Sequence, residues 1–495
     1  MRAASLVGLA LLLVATLGAS SFSARQSELP DRPLRTALHL DLPGETTPEP
    51  STVAFRRAAA AGATVVRLPV VWSQVAPATR PANFGADDPA EPAYRWNVLD
   101  DSIRQAARYG LQPLVFFYDA PKWAESPKTY GGVALSNVPD PAEIGRFAKA
   151  LARRYSGSFE GLPRVRYWEA WNEPNISLYF YPQLVDNRPI SPLWYRDVLS
   201  EFASAVHSVR PDNLVVAGGT APFRDNTPDV LRQRKDWGPL SFMREVLCMS
   251  RSLRPTCDAK VTFDAWAHHP YTSGGPTHSA LLPDDVSLGD LPEMKRVLDA
   301  AVRAGHVVTR SGAPEFWVTE FSWDSRPPDP KGVPQPLLNR WVAEALYRMW
   351  SSGVSLVTWF TLRDQPMTAS FYQSGLYYRG SKLADDRPKP HLTAFRFPVV
   401  AFREGSQVMV WGRTPSGRGG AVVVEQRAAG GWKRLGTLRT NRYGLFQTRL
   451  RTDQGGDVRA RYPAGRAVSL PFSLRKLADR SFNPFGLPEL LETKG

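Results

Sequence analysis

The chain has 495 residues, which is long for one ordinary domain and suits two or three. Hydrophobic residues make up 43% and charged residues 22%, so the composition is that of a globular protein and excludes a disordered chain. The formal net charge is +14, but no pattern typical of a nucleic-acid-binding motif accompanies it, so we expect no nucleic-acid partner.

Residues 1–23 predict a secretory signal peptide. Arg2 supplies the positive start, residues 6–18 form a short apolar run, and small residues follow. Such a run is short for a membrane span, and there is no second long apolar segment, so we expect no stable membrane span. We therefore expect a secreted or cell-envelope protein, with an uncleaved membrane anchor as the alternative. Residues 24–34 read as a linker.

Over residues 35–385, short apolar runs alternate with helical patterns, which is typical of a parallel sheet covered by helices. The eight predicted strands cover residues 37–40, 64–68, 112–118, 165–171, 214–217, 263–267, 316–319 and 354–359. The predicted helices cover residues 52–61, 97–109, 140–155, 192–209, 239–250, 291–304 and 337–350. Eight such units predict a closed (β/α)8 TIM barrel. The alternative is an open doubly wound sheet, but no Gly-rich phosphate loop follows the first strand.

The two cysteines, Cys248 and Cys257, predict one disulfide, because an even number of cysteines in an exported chain is typically paired. Without a nearby pair of histidines they would make a poor zinc site.

Residues 386–400 contain several prolines and are predicted to be a linker. From 401 to 475 the pattern changes to short alternating strands separated by turn residues, which predicts an immunoglobulin-like all-β sandwich, and residues 476–495 are predicted to be a loose tail.

Residues 396–495 hold 18 Lys and Arg against 7 Asp and Glu, a net +11. This basic region could contact an anionic envelope glycan or surface, or could reflect an Arg-rich composition alone. Trp411 and Trp432 could be surface platforms, although buried positions are commoner for tryptophan in sandwiches.

Two carboxylates follow predicted strands at the point where each strand ends. Asn172 and Glu173 come directly after the fourth strand, and Glu320 comes directly after the seventh. Because the catalytic groups of such barrels lie at the carboxyl ends of the strands, we expect both glutamates at one mouth. Two carboxylates are the minimal equipment for cleaving a glycosidic bond.

The stretch from Tyr167 to Asn175, with the sequence YWEAWNEPN, carries a resemblance to a known family. With Glu320 at the end of the seventh strand, it resembles the retaining (β/α)8 glycoside hydrolases of clan A, and within them the β-xylosidase/α-L-iduronidase, family 39-like branch. The resemblance spans residues 35–385. It implies an O-glycosyl hydrolase that retains configuration, acts on an oligosaccharide or polysaccharide and needs no cofactor. That branch often builds a sandwich from both flanks of its barrel, whereas the N-terminal flank here is short, so the resemblance does not extend to substrate preference.

The resemblance also implies roles for the matching residues. Glu173 would be the general acid/base and Glu320 the nucleophile. Arg67, at the end of the second strand, would lie beside the nucleophile and lower its pKa, and Asn172 would bind the sugar 2-hydroxyl.

Five further residues complete the predicted site. His269 and Tyr271 match the clan's pattern after the sixth strand, with Tyr271 reaching toward Glu320. Trp359, at the end of the eighth strand, would form the floor of the sugar subsite. Trp123 could stack on a more distant sugar or could pack its own loop, and His39 would line the mouth.

Several alternatives stay open at this stage. Both glutamates could be structural, and Glu169 is expected to be a structural acid rather than the catalyst. His268 and His269 invite a metal site, but adjacent strand residues point to opposite faces and no third ligand is evident, so we expect no metal. The chain could also be a non-catalytic carbohydrate-binding or adhesion protein, or a transglycosylase. The sugar, the linkage and endo or exo action are not indicated.

Overall fold

A computed structural model describes residues 29–40, 52–126, 129–130, 133–134, 138–185, 188–224, 237–310, 312–367, 372–452 and 455–475. The predicted signal peptide at 1–23 and the predicted tail at 476–495 lie outside the described residues, as do residues 24–28 of the predicted linker.

Eight parallel strands form a closed barrel, which confirms the predicted core of the fold. Strands β1 to β8 cover Arg35–His39, Val65–Val71, Gln112–Tyr118, Tyr167–Glu169, Leu214–Thr220, Ala265–His268, Glu315–Val318 and Val354–Trp359. Helices α1 to α7 cover Thr52–Ala60, Asn97–Arg108, Pro141–Arg154, Ser191–Val209, Pro239–Val246, Leu291–Arg303 and Gln335–Ser351. Each of these helices follows the strand of the same number, and β8 pairs with β1 to close the barrel.

Side chains fill the interior of the barrel. All eight strands contribute to one buried apolar cluster, made of Ala37, Val65, Leu114, Tyr167, Leu214, Val216, Ala265, Ala267, Trp317 and Leu356. Alternate residues of the strands face the helices instead, because successive strand side chains point to opposite faces. The barrel is therefore packed through its middle, and polar groups gather above this layer at the carboxyl ends of the strands.

Helix α3 shows how local sequence sets an element boundary. Asp140 precedes the helix, and its carboxylate accepts hydrogen bonds from the backbone N–H groups of Ala142 at 2.9 Å and Glu143 at 3.3 Å. Pro141 occupies the first turn, where no N–H partner is needed. The predicted start of this helix is therefore correct to one residue.

Strand β4 is shorter than predicted. It covers Tyr167–Glu169, whereas the apolar run extends to residue 171. Trp171 has a φ of 75° and Glu173 a φ of 43°, so the backbone leaves the extended conformation directly after the strand. Hydrophobicity alone does not reveal this turn.

The predicted linker at 386–400 is folded against the barrel. Helix α8, His391–Arg396, packs on α7, and Arg387–Pro388 pairs with Tyr377–Tyr378. The reason is apolar content: Phe395 is fully buried and its ring lies 6.2 Å from that of Trp359. The prolines here therefore shape a packed connection rather than an extended one.

After residue 399 the structure consists of antiparallel sheets, as predicted. Strands β9 to β16 cover Val399–Glu404, Gln407–Arg413, Ala421–Ala428, Gly431–Arg439, Leu445–Arg451, Asp457–Tyr462, Ala467–Val468 and Phe472–Ser473. One sheet has the order β9-β10-β13, and the other has the order β12-β11-β14-β15 with β16 also on β14. The immunoglobulin-like arrangement stays a prediction.

The two tryptophans of this region have different environments. Trp411 is fully buried, with its ring centroid 5.3 Å from Tyr347 and 5.6 Å from Trp350 of α7. Trp432 is partly exposed and lies under the guanidinium of Arg459 at 4.0 Å. Trp411 therefore belongs to the core that joins the sheets to the barrel.

The predicted disulfide joins Cys248 to Cys257. Helix α5 ends at Val246, earlier than predicted, because the chain turns through Cys248 with a φ of 54°.

Among the described residues, no helix is both long enough and apolar enough to cross a membrane.

Candidate active site

Arg67 lies at the centre of the polar cluster above the barrel core. Its side chain is fully buried, and its guanidinium stands over the ring of Phe116 at 3.5 Å. It donates from Nε to Oε2 of Glu169 at 2.6 Å, from Nη1 to Oε1 of Glu320 at 2.5 Å and from Nη2 to Oδ1 of Asn172 at 3.0 Å. One cation on β2 thus holds groups from β4, the loop after β4 and the end of β7.

Glu173 is placed by the turn after β4. Its backbone N–H donates to the carbonyl of Gly219 at 2.9 Å, which ties the turn to the end of β5. Both Glu173 and Trp171 have positive φ values, an uncommon conformation for residues other than glycine that often marks functional sites. The turn allows the Glu173 carboxylate to reach His269.

His269 and Tyr271, which follow β6, contact the two glutamates. Nδ1 of His269 lies 2.9 Å from Oε1 of Glu173 and 3.9 Å from Oε2 of Glu320. The hydroxyl of Tyr271 donates to Oε2 of Glu320 at 3.0 Å. On the opposite face of the strand, His268 bonds to Thr220 at 2.8 Å and to the carbonyl of Val286 at 3.0 Å. The two histidines therefore face opposite ways, as expected from strand geometry.

The two carboxylates are close together. One oxygen of Glu173, one oxygen of Glu320 and a ring nitrogen of His269 all lie within 4.8 Å of one another. In the described part of the chain this is the one group of three ligand-type side chains with metal-compatible spacing. Arg67 and Tyr271 already satisfy Glu320, so the donor set fits an acid–base pair better than a cation site.

The environments of the two glutamates separate their pKa values. Burial raises the pKa of Glu173 above its ordinary value, against the opposing effect of His269. Burial would also raise the pKa of Glu320, but His269, Arg67 and His39 together with the Arg67 hydrogen bond lower it to about 2. Two neighbouring carboxylates with pKa values displaced in opposite directions can act as an acid and an anion at the same pH.

Trp359 and His39 lie at the carboxyl ends of their strands. Trp359 ends β8 and is buried, and its Nε1 donates to the carbonyl of Ser374 at 2.8 Å. The ring of His39, at the end of β1, lies 4.6 Å from that of Phe360. Both residues therefore lie at the same end of the barrel as Glu173 and Glu320, which follow β4 and β7.

Trp123 has a packing environment. Its Nε1 donates to the carbonyl of Pro77 at 2.8 Å, and its ring lies 5.4 Å from Phe84 and 6.3 Å from Trp72. Arg80 lies 5.2 Å from the ring centroid. These contacts favour the loop-packing alternative over sugar stacking.

Sequence reasoning missed two tyrosines that line the mouth. Burial is the main cause of the raised pKa of each tyrosine, followed by the charges of Glu173 and then Glu320 for Tyr179, and of Glu320 and then Glu173 for Tyr372. The ring of Tyr179 meets that of Tyr118 at 5.8 Å, and the ring of Tyr372 meets that of Phe360 at 5.0 Å. Both tyrosines are in loops without hydrophobic periodicity, so no sequence pattern indicated them.

Thr319 was also missed as a site residue. Its hydroxyl donates to Oε1 of Glu169 at 2.7 Å and lies 3.1 Å from Nε2 of His269. The only available signal was its position directly before Glu320.

No family model matches the sequence. A family 39 glycoside hydrolase from the gut symbiont Bacteroides cellulosilyticus WH2 is similar in structure, with a TM-score of 0.50 at 16% identity over 84% of this chain and 81% of that chain. A glucosidase from Croceicoccus marinus has a TM-score of 0.45 at 14% identity over 85% of this chain and 93% of that chain. A GH30 endoxylanase from Clostridium papyrosolvens has a TM-score of 0.44 at 11% identity over 87% of this chain and 96% of that chain. The first likeness concerns the fold alone, and the TM-scores of the other two are too low to support any conclusion.

Proposed function

We propose that this chain is a retaining glycoside hydrolase that cleaves O-glycosidic bonds of an oligosaccharide or polysaccharide. The observation that carries the proposal is the pair Glu173 and Glu320, which follow β4 and β7 at the barrel mouth and whose nearest oxygens lie within 4.8 Å of each other. Retaining enzymes hold their carboxyl groups about 5–5.5 Å apart, whereas inverting enzymes leave about 6.5–9.5 Å for a water. The fold shared with a family 39 glycoside hydrolase supports the same assignment.

In the first step, Glu173 is the proton donor and Glu320 the nucleophile. An oxygen of Glu320 forms a bond to the anomeric carbon while the bond from that carbon to the leaving oxygen breaks, and the proton of Glu173 passes to the leaving oxygen. The raised pKa of Glu173 keeps it protonated for this task, and the lowered pKa of Glu320 keeps the attacking carboxylate ionised.

In the second step, water resolves the glycosyl ester. Glu173, now a carboxylate, takes a proton from water as the water oxygen attacks the anomeric carbon, and the bond from that carbon to Glu320 breaks. Both glutamates return to their starting states, and no cofactor is needed.

Neighbouring residues have supporting roles in this proposal. Oδ1 of Asn172 accepts from Arg67, which turns the Nδ2 amide group toward a sugar hydroxyl such as the 2-hydroxyl. Tyr271 holds the oxygen of Glu320 that does not receive the Arg67 bond, so it orients the nucleophile. Tyr179 and Tyr372 provide aromatic surface for sugar rings, and the buried Trp359 is the proposed floor of the sugar subsite.

The test is the release of reducing sugar from a panel of plant, fungal and bacterial-envelope glycans, with wild type and Glu320→Gln in parallel. We expect activity on one class of glycan in wild type and none in the variant. Proton NMR of the first product should show the anomeric configuration of the substrate. An inverted first product would contradict retention, and equal activity in both proteins would mean that Glu320 is not the nucleophile.

Two alternatives share the same residues. A transglycosylase would transfer the sugar to an added glycan acceptor in preference to water, which product analysis with and without acceptor would reveal. A carbohydrate-binding protein would bind a glycan without hydrolysis, and Glu320→Gln would leave that binding unchanged.

Export is part of the proposal. The signal-like residues 1–23 and the disulfide between Cys248 and Cys257 both suit an oxidising compartment outside the cytosol. We also propose that the chain is divided into a catalytic barrel over residues 35–385 and an immunoglobulin-like sandwich over residues 401–475. N-terminal sequencing of protein recovered from the medium should begin near residue 24.

The sheets after the barrel suggest a second contact with an anionic glycan. The registers of β11, β12 and β14 place the side chains of Arg427, Arg434, Arg459 and Arg461 on the face opposite buried Val422 and Val424. Glu425 is the acid that pairs with this group, through Arg459 and Arg461. A face with this excess of arginine fits a carboxylated polysaccharide. Binding to a carboxylated but not a neutral polysaccharide, weakened by salt and by Arg427→Glu with Arg434→Glu, is the expected result.

A further inference from the structure

A series of hydrogen bonds connects the two candidate catalytic residues, Glu173 and Glu320. Its central part, formed by Glu169, Thr319 and His269, is called the relay. Glu169 is fully buried and holds Arg67 at Oε2 and Thr319 at Oε1. Thr319 then contacts Nε2 of His269, and Nδ1 of His269 contacts Glu173. Arg67 completes the chain to Glu320.

The direction of each bond in this chain is set by chemistry. Arg67 has no acceptor and donates to Glu169 at 2.6 Å, which favours the ionised, acceptor-only form of that carboxylate. The single hydroxyl proton of Thr319 therefore points at Glu169. The hydroxyl oxygen of Thr319 can only accept from His269, so Nε2 of His269 must carry a hydrogen.

A consequence follows for Glu173. If Nε2 of His269 carries the ring hydrogen, Nδ1 of the neutral imidazole is a bare lone pair. The 2.9 Å contact between Nδ1 and Oε1 of Glu173 then needs a further proton, on either atom. Without that proton, a lone pair would face a carboxylate.

We propose that Glu169 and Thr319 are positioning residues that fix the Nε2–H form of His269, so that His269 and Glu173 share one additional proton. This proposal rests on the glycosidase function and explains how the acid keeps its proton. In the first step the shared proton leaves for the glycosidic oxygen, and in the second step a proton from water restores it. Between the steps the Nδ1 lone pair faces the Glu173 carboxylate, which strengthens Glu173 as the base toward water.

The groups around Glu173 are consistent with a single shared proton. His269 approaches from β6, Glu320 from β7 and Arg67 from β2, and the charge of Glu320 favours protonation of Glu173 while that of Arg67 opposes it. Burial raises the pKa values of Tyr179, from the loop after β4, and Tyr372, from the loop after β8, well above the ordinary tyrosine value, so both stay neutral. The contact with His269 therefore adds a hydrogen bond of fixed direction to the opposing effects of Glu320 and Arg67 on the protonation of Glu173.

Space for the relay depends on Gly219, at the end of β5. A Cβ at this position would lie 2.8 Å from Oε1 of Glu169 and 3.7 Å from Nε2 of His269. The φ of 55° is also one that favours glycine. The absence of a side chain at Gly219 therefore leaves room for the hydrogen bonds that Glu169 and His269 make with Thr319.

The first test reads the tautomer directly and needs no substrate. The full chain is labelled with 15N-histidine, and the ring nitrogen signals are recorded at neutral pH. The chain has seven histidines, and the His269→Gln variant identifies the signal of interest. We expect a protonated Nε2 in wild type, whereas a bare Nε2 with Nδ1–H would overturn the proposal.

The second test reverses the relay with an isosteric variant. In Glu169→Gln, the amide oxygen accepts from Arg67 and the amide nitrogen donates to Thr319, so Thr319 donates to Nε2 and His269 becomes Nδ1–H. That hydrogen then stabilises ionised Glu173, and the alkaline limb of kcat/KM should move to lower pH by about one unit. An unmoved limb and an unchanged tautomer would overturn the proposal.

Matched variants at Thr319 separate the relay from simple packing. Thr319→Ser keeps the hydroxyl and should retain the wild-type tautomer and pH profile, whereas Thr319→Val should lose both. Equal effects of the two substitutions would indicate a structural role alone and would overturn the proposal. If Nε2–H is found but no glycan is cleaved, the relay stands and the glycosidase function fails.

Discussion

Arg67 on β2 donates to Glu320 at the end of β7 over 2.5 Å, and the guanidinium group is fully inaccessible to solvent. Charge-assisted bonds of this kind stabilise the ionised carboxylate, and the complete burial of the Arg67 side chain strengthens the effect. The pKa of Glu320, which burial alone would raise, is instead about 2. Glu320, the proposed nucleophile, is therefore an anion at neutral pH.

Replacing Arg67 with lysine should move the acidic limb of activity. A single ammonium cannot reach Glu169, Glu320 and Asn172 at once, so the pKa of Glu320 should rise. Because the nucleophile acts as an anion, the acidic limb of kcat/KM is expected to shift to higher pH, by about one unit for each 1.4 kcal/mol of lost interaction.

The control for this experiment is Arg35→Lys. Arg35 pairs with Glu315 where β1 and β7 begin, at the opposite end of the barrel, so the same change there should leave the limb in place. A limb that is unmoved in Arg67→Lys would contradict the link between Arg67 and Glu320.

Glu173→Ala should discriminate between leaving groups. Loss of the acid should slow cleavage of a natural glycoside by about 10²–10⁴-fold. An aryl glycoside with a very acidic phenol needs no proton for departure, so its first step should be nearly unaffected. Added azide, which needs no base, should restore turnover and yield a glycosyl azide of the substrate's configuration. Equal slowing of both substrates would argue against Glu173 as the acid.

The sequence predicted the barrel and the two glutamates because these features depend on local patterns. Periodic apolar runs mark strands and helices, and each glutamate follows its strand directly in sequence. The positions of Tyr179 and Tyr372 depend on loop paths, which no period encodes. Thr319 looked like an ordinary strand residue, and its contacts with Glu169 and His269 arise only because the barrel brings these two residues to either side of it.

The folded linker has a related explanation. Proline content predicted a linker over residues 386–400, but Ala394 and Phe395 bury apolar surface against the barrel. Tertiary packing therefore overrode the local signal. For Trp123, the position after β3 allowed either sugar contact or loop packing. Its ring packs against Trp72 and Phe84, which favours loop packing.

The raised pKa of Glu173 should be visible in stability as well as activity. Because burial raises this pKa in the folded state, the native protein binds more protons than the unfolded chain between the ordinary and the raised pKa. Stability contributed by this group therefore falls as the pH rises through that interval. Glutamine does not titrate, so the free energy of unfolding of Glu173→Gln should rise relative to wild type from acidic to neutral pH, by about 1.4 kcal/mol for each unit of pKa shift. The rise is measured as a higher Tm of the variant relative to wild type at neutral than at acidic pH.

Glu320→Gln provides the control of opposite sign. The folded pKa of Glu320 is lowered to about 2, so its ionisation stabilises the protein above the ordinary pKa, and this contribution is lost as the pH falls toward 2. The variant should therefore lose Tm relative to wild type as the pH rises from 2 to 5. The same trend in both variants would contradict the assigned environments.

Removing the disulfide should reduce stability without affecting catalysis. Cys248 and Cys257 are 9 positions apart and lie between the end of α5 and the start of β6, at the end of the barrel opposite the mouth. Closing a loop of this length contributes about 2–3 kcal/mol. Cys248→Ser with Cys257→Ser should lower the denaturant midpoint and leave kcat/KM unchanged, while Ser252→Ala in the same loop should change neither. A loss of activity in the folded double variant at 25 °C would contradict this separation.

Trp411 should determine whether the barrel and the following sheets unfold together. Its buried ring packs on Tyr347 and Trp350 of α7, so truncation would open a cavity on the barrel side as well as in the sheets. Trp411→Ala is expected to cost about 3–5 kcal/mol and to lower the temperature of a single calorimetric transition, together with the temperature of heat inactivation. Trp432→Ala, which removes a partly exposed ring, should lower both temperatures far less. Two transitions in Trp411→Ala, with the barrel transition unmoved, would show that the barrel is stable without the contact and that the sheets do not brace it.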